Sequence, residues 1–168
     1  MYERGSCGGK IWGLLFCIGM IGLGMILLRG CLTHNYVKVV QNTDYTTMNK
    51  MFGTNYTYKQ TLDKAFGNGT WEEGPKPKNY EPHQVLYSST YSDDTGTHPF
   101  SLLFFVEDSA LNYMVELAIF RIDGAELNGA IGDRFIGAVF GKDILYGGNF
   151  TTKEFFEKYN DLIAESQK

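Results

Sequence analysis

The chain has 168 residues, with 15 Lys and Arg against 19 Asp and Glu, and includes 12 Phe, 11 Tyr and 2 Trp. That supply of bulky apolar residues excludes a disordered polymer, and the length excludes a large multidomain enzyme. Only Glu3 among the acids, and only Arg4, Lys10 and Arg29 among the bases, precede residue 31; the remainder therefore carries an excess of six acids, which argues against nucleic acid as a partner.

Ile11 to Leu28 reads IWGLLFCIGMIGLGMILL, 18 residues without a charge. As a helix it would span roughly 27 Å, close to the hydrocarbon thickness of a bilayer. The sequence thus predicts a transmembrane helix or signal anchor at 11–28. Residues 1–10 form a short cytoplasmic tail whose Arg4 and Lys10 favour the inner side, and the rest of the chain is expected to be extracytoplasmic. This places the protein in the cell membrane as a single-pass chain in contact with lipid. Gly5, Gly9, Gly13 and Cys17 recur every four residues, and the stripe Gly9, Gly13 and Cys17 would let a second membrane helix approach closely, a route to a homodimer.

Leu28-Arg29-Gly30-Cys31 has the aliphatic and Gly positions of a bacterial lipobox but places Arg29 where a neutral residue is usual. Two readings therefore stand: a retained helix with Cys31 incidental or acylated, or cleavage and lipid attachment at Cys31. No Cys occurs from Leu32 to Lys168, so the folded part is expected to be held by packing without a disulfide.

An α+β domain is expected over residues 37–141. Tyr45, Met48, Met51 and Phe52 have helical spacing, with an Asn or Thr as cap and Gly53 as terminator. Thr57 with Gln60 makes a capping box for a second helix carrying Tyr58, Leu62, Ala65 and Phe66, ended by Gly67. The two are expected to pair as a hairpin. A short strand follows around Trp71. Three of the four prolines then lie between Gly74 and Pro82, marking an irregular loop.

Alternation from Val85 to Tyr91, and the β-rich runs Phe100 to Val106 and Tyr113 to Ile122, complete a four-stranded antiparallel meander. The run Ser101 to Val106, SLLFFV, is apolar on both faces and is expected to be central and covered. Asp123 with Glu126 reads as a further capping box, opening a helix through Ile131, Phe135, Ile136, Val139 and Phe140. Gly129, Gly132 and Gly137 within it imply close packing or a break. Residues 142–168 form a C-terminal extension whose amphipathic helix, 152–166, is capped by Thr151 with Glu154 and bears Phe155, Phe156, Tyr159, Leu162 and Ile163.

Val37 to Asn42, the phrase Thr61-Leu62-Asp63-Lys64-Ala65-Phe66-Gly67-Asn68-Gly69-Thr70-Trp71-Glu72, and Ile122-Asp123-Gly124 resemble a group of small bacterial membrane-anchored proteins of unknown function. More distantly the layout is similar to the fold of β-lactamase inhibitor protein and of the small lipoprotein of the outer-membrane barrel assembly machine. The resemblance implies an envelope protein that binds other proteins with a sheet face or helix edge and catalyses nothing; it transfers no functional residue.

The residues themselves show no catalytic or metal motif, and no cofactor is implied. His34, His83 and His98 lack the spacing of metal ligands, the pairs Glu72-Glu73, Asp93-Asp94 and Glu107-Asp108 lack that of a calcium loop, and no Ser sits in a nucleophile elbow. The leading expectation is a membrane-tethered, non-catalytic interaction module of the bacterial envelope, its partner another envelope protein. Tyr80 and His83, in the proline-rich loop, are the candidate binding residues. The alternative is a small envelope hydrolase using Asp or His from the loops 74–83 and 92–99.

Overall fold

The computed structural model describes residues 35–67, 69–75, 77–78, 81–109 and 112–166. Gly9, Gly13, Cys17, Cys31, His34, Tyr80 and the segment 11–28, expected to be a membrane helix, lie outside the described residues. Among the described residues no helix is long and apolar enough to cross a membrane. Residues 36–168 form one compact unit.

The unit is α+β. Three short helices, α1 (Tyr36–Asn42), α2 (Thr46–Phe52) and α3 (Tyr58–Phe66), precede five strands. These are β1 (Thr70–Glu73), β2 (His83–Asp93), β3 (Gly96–Ser109), β4 (Asn112–Ile122) and β5 (Ala125–Asn128), followed by α4 (Gly129–Val139) and α5 (Thr152–Ser166). The strands pair in chain order as one antiparallel sheet with β3 at its centre.

Local chemistry fixes most boundaries. At α3 both halves of the capping box are present: the Gln60 amide donates to Thr57 Oγ1 at 3.3 Å and the Thr57 amide to Gln60 Oε1 at 2.9 Å. Glu154 and Thr151 repeat the device at α5. Gly53 closes α2 at φ 63°, a left-handed conformation that any side chain would strain. The start of α2 differs from expectation. Tyr45 occupies the cap position without a side-chain capping bond, its ring being buried, and Asn49 organises the connection instead by binding the amide and carbonyl of Tyr56 at 2.8 Å each.

Nor do α2 and α3 form the expected pair. The unanticipated α1 takes that place against α3, which also meets α4. Strands run longer than expected too. The turn-rich stretch 92–99 contracts to a two-residue hairpin loop, Asp94 and Thr95, between β2 and β3.

The expected capping box of Asp123 and Glu126 is not there. Asp123 and Gly124 both have positive φ, 52° and 83°, and form a two-residue hairpin turn, so Glu126 lies on a fifth strand and the sheet has five strands rather than four. The cap of α4 is Asn128, whose side chain accepts from the Ile131 amide at 3.2 Å. The helix is unbroken because its glycines serve close packing. A Cβ at Gly129 would sit 1.7 Å from the Leu117 carbonyl oxygen, and one at Gly132 2.9 Å from the Phe120 Cβ.

All five helices bury side chains in the same cluster as one face of the sheet, the face of Val85, Tyr87, Phe100, Leu102, Phe104 and Val106. Phe135 of α4 is its hub. It stacks on Phe66 and Phe120, with ring centroids 5.6 and 5.1 Å away, and meets Phe100 and Phe155 at 5.4 and 5.2 Å. Because α5 contributes Phe155, Tyr159 and Ile163 to this cluster, the segment after residue 141 belongs to the same core.

Candidate functional site: the uncovered sheet face

Side chains alternate across a strand, so the residues between those of the core must point the other way. On β3 these are Ser101, Leu103, Phe105 and Glu107. Register places Leu86 of β2 and Ile119 of β4 on either side of Leu103, giving a cross-strand apolar row, Leu86–Leu103–Ile119. Phe105 lies next along β3, and Met114 of β4, 63% exposed, extends the patch. None of these five packs against the helix-covered cluster. Among the described residues, the apolar run of β3 is thus central but covered on one side only. A shift in register between Leu103 and Phe104 inserts Ala118 into β4 and keeps both its halves in phase with this division.

The rim of the patch is acidic. Glu72 of edge strand β1 is the register partner of Leu86, Glu116 of Phe105, and Glu107 of Met114. All three are exposed, and none makes an ion pair among the described residues. Arg121, also on this face, is occupied by Glu126 at 2.8 Å. A partly exposed apolar row with unpaired carboxylates at its rim, and without convergent polar groups among the described residues, is a surface suited to a macromolecule.

A second polar constellation sits at the far end of the sheet's core side. His98 Nδ1 lies 2.7 Å from Asp123 Oδ2 and Nε2 lies 2.8 Å from Thr95 Oγ1, while the ring stacks on Phe156 of α5 at 4.4 Å. The order Asp, His, hydroxyl is that of a nucleophile with its base. The proton inventory opposes that role. Thr95 directs both its amide, at 2.8 Å, and its hydroxyl, at 2.5 Å, to Asp93 Oδ1. Although burial opposes it, these bonds hold the Asp93 carboxyl below its ordinary range, so Asp93 accepts and the hydroxyl hydrogen is committed to it. Thr95 Oγ1 and Asp123 Oδ2 hold the two ring nitrogens of His98 between them, and the group pins the β2–β3 hairpin to the β4–β5 turn.

The anticipated residues fall elsewhere. His83 is not in a loop: it opens β2 on the core side and stacks on Tyr36 of α1, ring centroids 3.6 Å apart and 16° from coplanar. Register sets it eight residues along the sheet from His98, roughly 27 Å. Among the described residues no three His, Cys, Asp or Glu side chains are grouped to hold a metal ion. The sheet face escaped the sequence reading although its signal was present, in the apolar residues at Leu86, Leu103, Phe105 and Ile119 on the side opposite Val85 and Tyr87. Comparison with known protein families, characterised proteins and solved structures finds no match.

Proposed function

We propose that this protein is a membrane-tethered, non-catalytic interaction module of the bacterial cell envelope, and that it engages its partner through the uncovered face of its sheet. The row Leu86–Leu103–Ile119 with Phe105 and Met114 carries the reading. A large apolar patch on the solvent side of a sheet is unfavourable to leave wet, at about 25 cal/mol per Å² of apolar surface, unless a partner covers it. The tether rests on the uncharged run 11–28 and the envelope setting on the sequence resemblance. With α1 starting at Tyr36, few residues separate that run from the folded unit, so the partner is a protein at the membrane surface.

The test is photo-crosslinking of the full chain in intact cells, with the reactive group at position 103 or 105 and, as control, at the exposed Asn160 of α5. The reading expects one defined membrane-associated protein captured from the sheet positions and not from the control. Equal capture from both, or none from the sheet, overturns it. The hydrolase alternative draws on the Asp123–His98–Thr95 line, and the commitment of the Thr95 hydrogen to Asp93 weighs against it.

A further inference from the structure

Resting on that reading, we infer that the occupant of the sheet face is a basic amphipathic α-helix presented by another protein. Size comes first. The row Leu86–Leu103–Ile119 crosses two interstrand spacings, about 10 Å, and from Met114 to Ile119 the patch runs roughly 16 Å along β4. A helix with its side chains is about 10–12 Å wide and rises about 5.4 Å per turn, so one helix lying along β3 for three turns covers the patch. An added strand would instead seek the unpaired backbone of an edge, and the apolar residues here are on the three central strands.

Charge then selects among occupants. A helix over β3 has Glu72 on one flank, Glu116 on the other and Glu107 towards one end, while the Arg121–Glu126 pair adds no net charge. Lys or Arg on both flanks of an apolar stripe meets this rim, and the acidic excess of the chain beyond residue 31 steers such a partner inward. The same rim disfavours a second copy, because two such faces would bring Glu72, Glu107 and Glu116 against their like. An anionic lipid surface is repelled for the same reason.

The experiment is a charge swap on the full chain in nanodiscs of neutral phosphatidylcholine. Two synthetic 18-residue helices serve as probes, each with Leu at helical spacing, one with Lys and the other with Glu at every remaining position. Fluorescence anisotropy, with empty nanodiscs subtracted, should show the Leu/Lys helix binding and the Leu/Glu helix failing to bind. The double reversal Glu72→Lys, Glu116→Lys should weaken the Leu/Lys helix at least about tenfold and admit the Leu/Glu helix. Leu103→Gln should abolish both interactions. Circular dichroism monitors the fold of each variant, and the two glutamates are exposed, so their reversal leaves the core untouched.

If both helices bind the native chain alike, or the reversal leaves the preference unchanged, the basic partner is overturned. Binding that survives Leu103→Gln overturns the site. Crosslinking from position 103 does not depend on charge, so successful capture alongside a failed swap overturns the partner class alone. Capture of a second copy likewise overturns the helix while leaving the face as the interface.

Discussion

Replacing Asp133 by Asn should make the protein more stable at neutral pH and remove part of its pH dependence. Asp133, on the second turn of α4, accepts a hydrogen bond from the hydroxyl of Tyr45, which is fully buried and stacked on Tyr58 at 4.2 Å. Burial raises its carboxyl from 3.8 to about 6, against the opposing pull of the Tyr45 bond. Burial, with the neighbouring Asp133 charge, also raises Tyr45 well above the usual phenol range, so Tyr45 stays a donor throughout.

The folded value exceeds the unfolded one, so native Asp133 takes up its proton first as pH falls. Its contribution is therefore neutral below about pH 4 and increasingly destabilising from 4 to 6, with the full effect present above 6. A shift of about two units at 1.36 kcal/mol each gives a burden of roughly 3 kcal/mol. Asn keeps the acceptor for Tyr45 and carries no charge. Its amide hydrogens lack a partner that the carboxylate did not need, at about 1 kcal/mol, leaving a net gain of about 1–2 kcal/mol. For a unit of this size that raises Tm by several degrees. Urea unfolding of both chains from pH 4 to 8 measures it. Glu154, lowered by its bonds from Thr151, and Asp93 titrate lower and identically in both chains, so the difference curve isolates Asp133. A difference curve flat from pH 4 to 8, or an Asn variant weaker at pH 8 than at pH 4 relative to the parent, refutes the argument.

Gly129→Ala should prevent folding or lower stability by several kcal/mol, because the added methyl carbon meets the Leu117 carbonyl at 1.7 Å and only backbone movement of β4 or α4 relieves it; a melting curve like the parent's contradicts this packing. Arg134→Met should cost about 3–5 kcal/mol, since the buried guanidinium bonds Asp143 and Tyr159 and lies 4.9 Å over the Phe150 ring. Adding Asp143→Asn should recover much of that loss, and a double variant as unstable as the sum of the singles contradicts the pairing.

Legibility from sequence followed the range of the interaction involved. Thr57 with Gln60 and Thr151 with Glu154 were readable because a capping box is closed within four residues, so the bonds that form are those the local order dictates. Asp123 and Glu126 have the same spacing and fail. There Asp123-Gly124 also satisfies a two-residue hairpin, and pairing of Arg121 with Glu126 across β4 and β5 decides for the turn. The site was hidden for a related reason. Apolar residues at Leu103 and Phe105 are consistent with either a strand buried on both sides or a strand buried on one side with a binding surface on the other. The pattern of β3 cannot separate the two, because the distinction lies in how many helices the chain has left to spend. All five described helices go to one face, drawn there by Phe135 and its ring of aromatic neighbours. The acidic residues on the other face acquire meaning only once Glu72, Glu107 and Glu116, on three different strands, are seen to share its rim.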